Sequence, residues 1–247
     1  MPKKVSIATL RKRLIGLINL YLQDLGFDKF QGTTAWRHLA TRIEIVNLDF
    51  VRPSDTKIIG CTSASFSLNG GICFKAVPLS CKIRVPFSEW LPPPYQMRKF
   101  HRRTIDQAEL SRRDIWFVRE DGSNLENCVA DAIKVLREES EPWFLRFRDD
   151  RAVLQALLHE PDEADELGLL LSSNGTLGCP LRNNLIAYIA LEAGELEVSR
   201  DAFEKLIEQN RKIPMHLPGK CESDYKTVLR LLEQQPQPSS SPEGTLL

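Results

Sequence analysis

The sequence predicts an α+β fold: a mostly antiparallel, twisted sheet flanked by helices, followed by a small C-terminal helical subdomain. Three patterns carry this prediction. Apolar residues alternate with period two between Thr62 and Phe87. They recur at helical spacing near the N-terminus and again after Ser123, and beyond Asp149 only the helical period remains. The chain divides accordingly into a sheet domain over 1–148, a helical subdomain over 149–233 and a tail over 234–247.

Taken in order, Ile7, Leu10, Leu14, Leu17, Tyr21 and Leu25 trace one stripe of an amphipathic helix ending near Gly26. Its cationic side, with Arg11, Lys12 and Arg13, reads as a solvated face rather than a membrane-surface element. Phe27 to Phe30 and Ala35 to Leu39 are short strands joined through Gln31-Gly32-Thr33. Arg42 to Phe50 is a firmer strand, with Val46, Leu48 and Phe50 on one face and Ile43 and Ile45 on the other. Being apolar on both sides, it belongs at the centre of the sheet or under two covering layers. Pro53-Ser54-Asp55 turns the chain into the next strand.

That next strand organises the rest. Ala64, Phe66, Leu68, Ile72 and Phe74 share one parity, and Ser63, Ser65, Ser67 and Asn69 the other. Asn69-Gly70 would ordinarily mark a hairpin turn. A two-residue turn, however, pairs Leu68 with Gly71 and throws Ile72 and Phe74 onto the face opposite Leu68. A strand running straight through keeps the large apolar residues together, with Gly70 and Gly71 as a bulge or a point of close approach. Cys81, Ile83, Val85 and Phe87, alternating with Lys82, Arg84 and Pro86, predict a second one-faced strand beside it. Pro92-Pro93-Pro94 is a stiff extended spacer, and Ile115 to Val118 a short buried strand.

Ser123-Asn124-Leu125-Glu126 reads as a capping box before a helix that carries Leu125, Val129, Ala132, Ile133 and Leu136 and closes at Pro142. Trp143-Phe144-Leu145 would pack the end of that helix onto the sheet. A short helix with Val153, Leu154 and Leu157 follows, then a polar loop from Glu160 to Glu166. Leu181 to Ala193 and Glu195 to Gln209 form a helical hairpin about Gly194, weakly tetratricopeptide-like but unrepeated. After a last helix, Asp224 to Glu233, the Gln-, Pro- and Ser-rich tail offers no apolar face and is expected to be disordered and dispensable for folding.

Formal net charge is zero, so any binding of a polyanion must be local. The N-terminus lacks the apolar core of a signal peptide, and no apolar run is long enough to span a membrane. Six cysteines without a Cys-x-x-Cys pair read as free thiols, and the expected compartment is the cytoplasm. His38, His101, His159 and His216 stand far apart without partners at ligand spacing, so neither a metal nor a cofactor is predicted. No nucleophile elbow is visible, and Gly70-Gly71 is too short for a phosphate loop.

Charge is distributed unevenly. Lys82 to Arg119 carries about five excess positive charges, and Glu120 to Glu166 about nine excess negative ones. The candidate binding residues are Arg84, Arg98, Arg102, Arg103, Arg112, Arg113 and Trp116. In one reading this segment, with Trp90, Tyr95 and Trp116, holds the phosphates and bases of nucleic acid. In the other it is a solvated loop whose arginines pair with Glu138, Glu139, Asp149 and Asp150, and the adjacent acidic block favours this. Proline-rich entry and long cationic side chains place Arg98 to Arg113 at the surface in both.

The order of pieces also resembles a known family. A helix leading to Gly26-Phe27 precedes Trp36-Arg37 and Ile45-Val46-Asn47-Leu48. Phe66-Ser67-Leu68-Asn69-Gly70-Gly71-Ile72, Cys81-Lys82-Ile83-Arg84 and Asp114-Ile115-Trp116 follow, then a helix with a small apolar cluster. Over about Val5 to Leu158 this resembles the bacterial domain-of-unknown-function family numbered 4304. The family commonly has Gln where this chain has Asp49, and a second Trp where it has Phe117. The resemblance implies a mixed α/β domain without an assigned activity, its strand running through Asn69. The function expected is that of a non-catalytic protein-binding module, regulatory or immunity-like, with another protein as partner. The alternatives are nucleic-acid binding through 98–113 and an enzyme whose site is dispersed in the sequence.

Overall fold

The computed structural model of the chain describes residues 5–78, 85–93, 96–107, 112–159, 180–212 and 221–234. Five strands, β1 (Lys29–Gln31), β2 (Thr34–His38), β3 (Arg42–Phe50), β4 (Phe66–Phe74) and β5 (Met97–Phe100), form one antiparallel sheet in sequential order. The doubly apolar strand, β3, is central. The protein is α+β, with helices flanking the sheet and following it.

β4 runs straight through Asn69-Gly70. Leu48 lies opposite Leu68, Asn47 opposite Asn69, Val46 opposite Gly70 and Glu44 opposite Ile72. Leu68 and Ile72 are fully buried in one cluster. The unbroken register leaves no bulge, so Gly70 marks a close approach. A Cβ there would sit 3.4 Å from His101 Nε2, 3.6 Å from the Phe144 ring and 3.7 Å from Trp143.

α1 (Ile7–Asp24) is capped by Ser6, whose hydroxyl accepts the Thr9 N–H, and buries Leu10, Leu14, Ile18 and Leu22. A single turn, α2 (Thr56–Ile59), joins β3 to β4. α1 packs with α3 (Leu125–Val135) over the sheet face that carries Val46, Leu48, Phe66, Leu68 and Ile72. The same apolar cluster continues into α5 (Asp150–His159), α6 (Pro180–Glu192), α7 (Leu196–Lys212) and α8 (Cys221–Glu233). α6 and α7 form the expected hairpin, with Gly194 at φ +77° between them.

The opposite face is covered in part. Trp36, Ile43, Ile45 and Cys73 meet Phe87, Trp90 and Leu91 from a strap that opens on a 3-10 turn. The Trp36 indole donates to the carbonyl of Pro92 at 2.7 Å, and His38 Nε2 to that of Trp90 at 2.9 Å.

Four expectations are corrected. Of the strand expected over Cys81 to Phe87, Cys81 to Arg84 lie outside the described residues. Val85 is exposed and Phe87 opens a 3-10 turn, so the neighbour of β4 is β5 instead. Pro86 supplies no N–H for a ladder, whereas Met97 fills the buried place opposite Ile72. Ile115 to Val118 makes a single bridge, Trp116 to Phe66, rather than a strand. The capping box does not form: Asn124 is the N-cap, and its amide turns back to bond Arg119 N–H and Phe117 C=O. Finally, the helix does not close at Pro142.

At Pro142 it widens. A π-helical turn (Leu136–Ser140) links α3 to α4 (Glu141–Arg146) without a break. Pro142 has no N–H and its ring would press on the carbonyl four residues back, a conflict that a wider turn relieves. α4 then buries Trp143 and Phe144 and leaves Leu145 exposed. Ionic bonds fix it to the sheet. Arg37 donates to Glu44, which is fully buried, at 2.5 Å and to Glu141 at 3.0 Å, and Arg148 reaches Glu44 at 3.1 Å. The polar loop from Glu160 and the tail beyond Gln234 lie outside the described residues.

Candidate functional site

The sequence-predicted arginines do not form one patch. Arg84 lies outside the described residues. Arg102 and Arg113 are exposed. Arg112 pairs with Asp114 at 2.5 Å, which holds the Asp114 carboxyl below the usual carboxylate range. Arg103 is buried, correcting the expectation of a wholly exposed segment. Its guanidinium donates to the carbonyls of Ile105 (2.8 Å) and Arg112 (3.0 Å), tying both ends of its own loop together. Trp116 is fully buried as well, stacked on Phe66 at 5.4 Å, with its indole N–H on Asp131 at 2.8 Å. It offers no face to a base. Of the acidic partners expected, Glu139 takes His101 and Asp150 takes Arg42.

Arg98 is the predicted residue that joins a cluster. Strand alternation puts Asn47, Asp49, Ser67, Asn69, Arg98 and Phe100 on the uncovered half of the sheet. Asp49 collects three donors: Asn47 Nδ2 at 2.6 Å, Asn69 Nδ2 at 2.6 Å and Arg98 Nη2 at 2.9 Å. Thr34 donates to Asn47 Oδ1 at 2.9 Å and fixes that amide. To reach Asp49 from β5, the Arg98 side chain crosses β4 at Asn69 and stacks 4.3 Å over the Phe100 ring. Two atoms of the cluster, Asn69 Oδ1 and Arg98 Nε, are buried without a hydrogen-bond partner. Such orphaned groups cost about 1–3 kcal/mol each and mark unused binding capacity. Phe100 beside them is 44% exposed. A cavity of about 320 Å³ adjoins the cluster, floored by Asp49 and Ser67 and walled by Arg52, Asp55, Arg112 and Asp114.

A second constellation was invisible in the sequence. Ser140 Oγ lies 2.9 Å from His101 Nε2, and His101 Nδ1 lies 3.2 Å from Glu139 Oε2. The order of groups is that of a nucleophile, a base and an orienting carboxylate. The surroundings argue against catalysis. Ser140 and His101 are each 1% exposed, and His101 lies with Trp143 and Phe144 around Gly70, so a substrate carbonyl has no approach. Burial also pushes the His101 pKa down, weakening it as a base. With the imidazole neutral, Nδ1–H donates to Glu139 and Nε2 accepts the Ser140 hydroxyl. The group is a latch between β5 and the π-helical turn.

Cys61, Cys73, Cys128 and Cys221 are free thiols, and burial pushes Cys128 and Cys221 up to about 11. Neither is an activated nucleophile. Among the described residues, no three His, Cys, Asp or Glu side chains converge as metal ligands, and no helix is long and apolar enough to cross a membrane. Comparison with known protein families, with curated proteins and with solved structures returns no match. The class is therefore defined by fold and site: an α+β protein with a half-open sheet face bearing an Asn-Asp-Asn-Arg cluster.

Proposed function

We propose that the protein is a non-catalytic protein-binding module, regulatory or immunity-like, that recognises its partner on the open half of the sheet. The observation that carries this reading is the pair of orphaned atoms beside Phe100, Asn69 Oδ1 and Arg98 Nε. One is an acceptor and the other a donor, the complement of a single peptide group. A partner segment that draws the Arg98 guanidinium off Asp49 uncovers Asn69, places a backbone N–H on Oδ1 and a carbonyl on Nε, and rests an apolar side chain on Phe100. The mixed charge around the adjoining cavity suits a protein surface better than a polyanion, and Arg103 and Trp116 are spent on internal bonds.

The test is capture from nuclease-treated lysate with wild-type protein, Phe100→Asp, Arg98→Glu and, as control, Arg113→Glu. A partner held by wild type and the control but lost by the first two supports the reading. Capture indifferent to Phe100 and Arg98 refutes the site. Tight, salt-sensitive binding of oligonucleotides, lost when Arg102 and Arg113 become Glu, would replace it with nucleic-acid binding.

A further inference from the structure

We infer that the partner contributes an acidic, extended segment that adds to the sheet as a further strand along the outer edge of β5. The inference rests on the protein-binding reading above and specifies the partner's backbone and charge.

Among the described residues β5 is the outermost strand and pairs with β4 alone. The His101 N–H donates to the Leu68 carbonyl, so Met97, Lys99 and His101 are the residues whose backbone groups face β4. The N–H and C=O of Arg98 and Phe100 therefore point outward. Among the described residues nothing hydrogen-bonds them. Two donors and two acceptors, repeating every second residue along an edge, are the template for an added strand. The side chains there leave room for one: Phe100 is 44% exposed and Lys99 half-buried.

Charge chooses the occupant. β5 and its continuation present Arg98, Lys99 and Arg102 without an acid among them. A second copy pairing edge to edge would set these cations against their like, which is destabilising. A nucleic acid would meet the cations and leave the outward backbone groups unpaired. An antiparallel strand with an apolar residue opposite Phe100 and carboxylates opposite Lys99 and Arg98 satisfies backbone, ring and charge together. The carboxylate opposite Arg98 also supplies what draws the guanidinium off Asp49 and uncovers Asn69. The chain leaving the strand then crosses onto the open face.

The experiment uses the full chain, labelled with ¹⁵N, and the probe acetyl-Thr-Val-Glu-Glu-Val-Thr-amide. In the free protein the Arg98 and Phe100 amides should exchange with solvent faster than those of Lys99 and His101. The peptide should slow the first pair about tenfold, saturably in the millimolar range. Two altered peptides should each bind about tenfold more weakly: one with both Glu replaced by Lys, and one N-methylated at the first Val and second Glu, whose N–H groups would face β5. Phe100→Ala and Phe100→Pro both lose the ring, but only the second loses an outward N–H, which β4 does not use. The peptide should bind the Pro variant about tenfold more weakly than the Ala variant. Equal exchange of the four amides in the free protein, no protection by the Glu peptide, or undiminished binding of either altered peptide would each overturn the inference. Capture from lysate that needs Arg98 and Phe100, while the Glu peptide protects neither amide, removes the edge and leaves the face reading standing. Protection by the peptide with capture indifferent to both side chains does the reverse.

Discussion

Asp131 offers the sharpest test of how the arginine-rich segment is anchored. Its carboxylate is 4% exposed and accepts three hydrogen bonds: from Trp116 Nε1 at 2.8 Å, from Thr104 N at 3.0 Å and from the Thr104 hydroxyl. Asp131→Asn can keep all three contacts. The amide oxygen takes the two N–H donors, and the amide nitrogen donates to Thr104 Oγ, which reverses its role. Only the charge assistance is lost, a difference of about 1 kcal/mol for the buried Trp116 bond and less for the two at exposed Thr104, so the expected cost is about 1–2 kcal/mol. Asp131→Ala instead strands the buried Trp116 N–H and removes both bonds to Thr104, an exposed residue whose donors water can take over, for a total of about 3 kcal/mol. The assay is urea denaturation followed by tryptophan fluorescence, with the loss read from the midpoint at constant slope. Equal costs for the two variants, or an unchanged midpoint for Asp131→Ala, would show that the carboxylate does not hold the segment.

Acid should weaken the latch in two stages. Burial holds the His101 pKa below 6.5, and the hydrogen bond from His101 holds Glu139 below 4.5. In both cases the unfolded chain takes the proton first, so stability falls as pH drops below about 6.5 and again below about 4.5. His101→Gln should flatten the first loss, seen in urea midpoints between about pH 7 and pH 5; an unchanged pH profile would refute the assignment. Gly122 has φ +70°, and a Cβ there would lie 2.6 Å from Leu10 Cδ2, so Gly122→Ala should cost about 2 kcal/mol and loosen α1 from the sheet. Faster amide exchange confined to α1 would confirm it.

The framework of the fold was legible because parity and helical period are local. Leu68 and Ile72, of one parity, share a face only if β4 is unbroken, and that argues against the Asn69-Gly70 turn. The path of the chain after β4 was less legible. Val85 and Phe87 alternate like a strand, yet apolar residues on a covering strap give a similar pattern, since Phe87, Trp90 and Leu91 are also partly buried. The candidate site was half legible. Arg98 stood out by charge, but Asp49, its partner, lies on another strand. The available signal was Asn47 and Asn69 in mid-strand, where asparagine is uncommon. Nothing local could reveal that Arg103 folds inward or that Trp116 meets Asp131, because both depend on tertiary contacts.

The π-helical turn also constrains how the gene can change. Each residue added to or removed from a continuous helix rotates everything after it by about 100°. Deleting one residue between Leu136 and Ser140 would either close the wide turn to α against the Pro142 ring or, if the turn stayed open, swing Trp143 and Phe144 away from Gly70 and Glu141 away from Arg37. The length of that turn is therefore fixed more tightly than its sequence. Polar substitutions at the exposed Arg137 and Glu138 are tolerable, whereas a frame-preserving codon loss there is not. In relatives of this protein, insertions and deletions should fall in the connections around the sheet and leave the span from Leu125 to Arg146 at constant length.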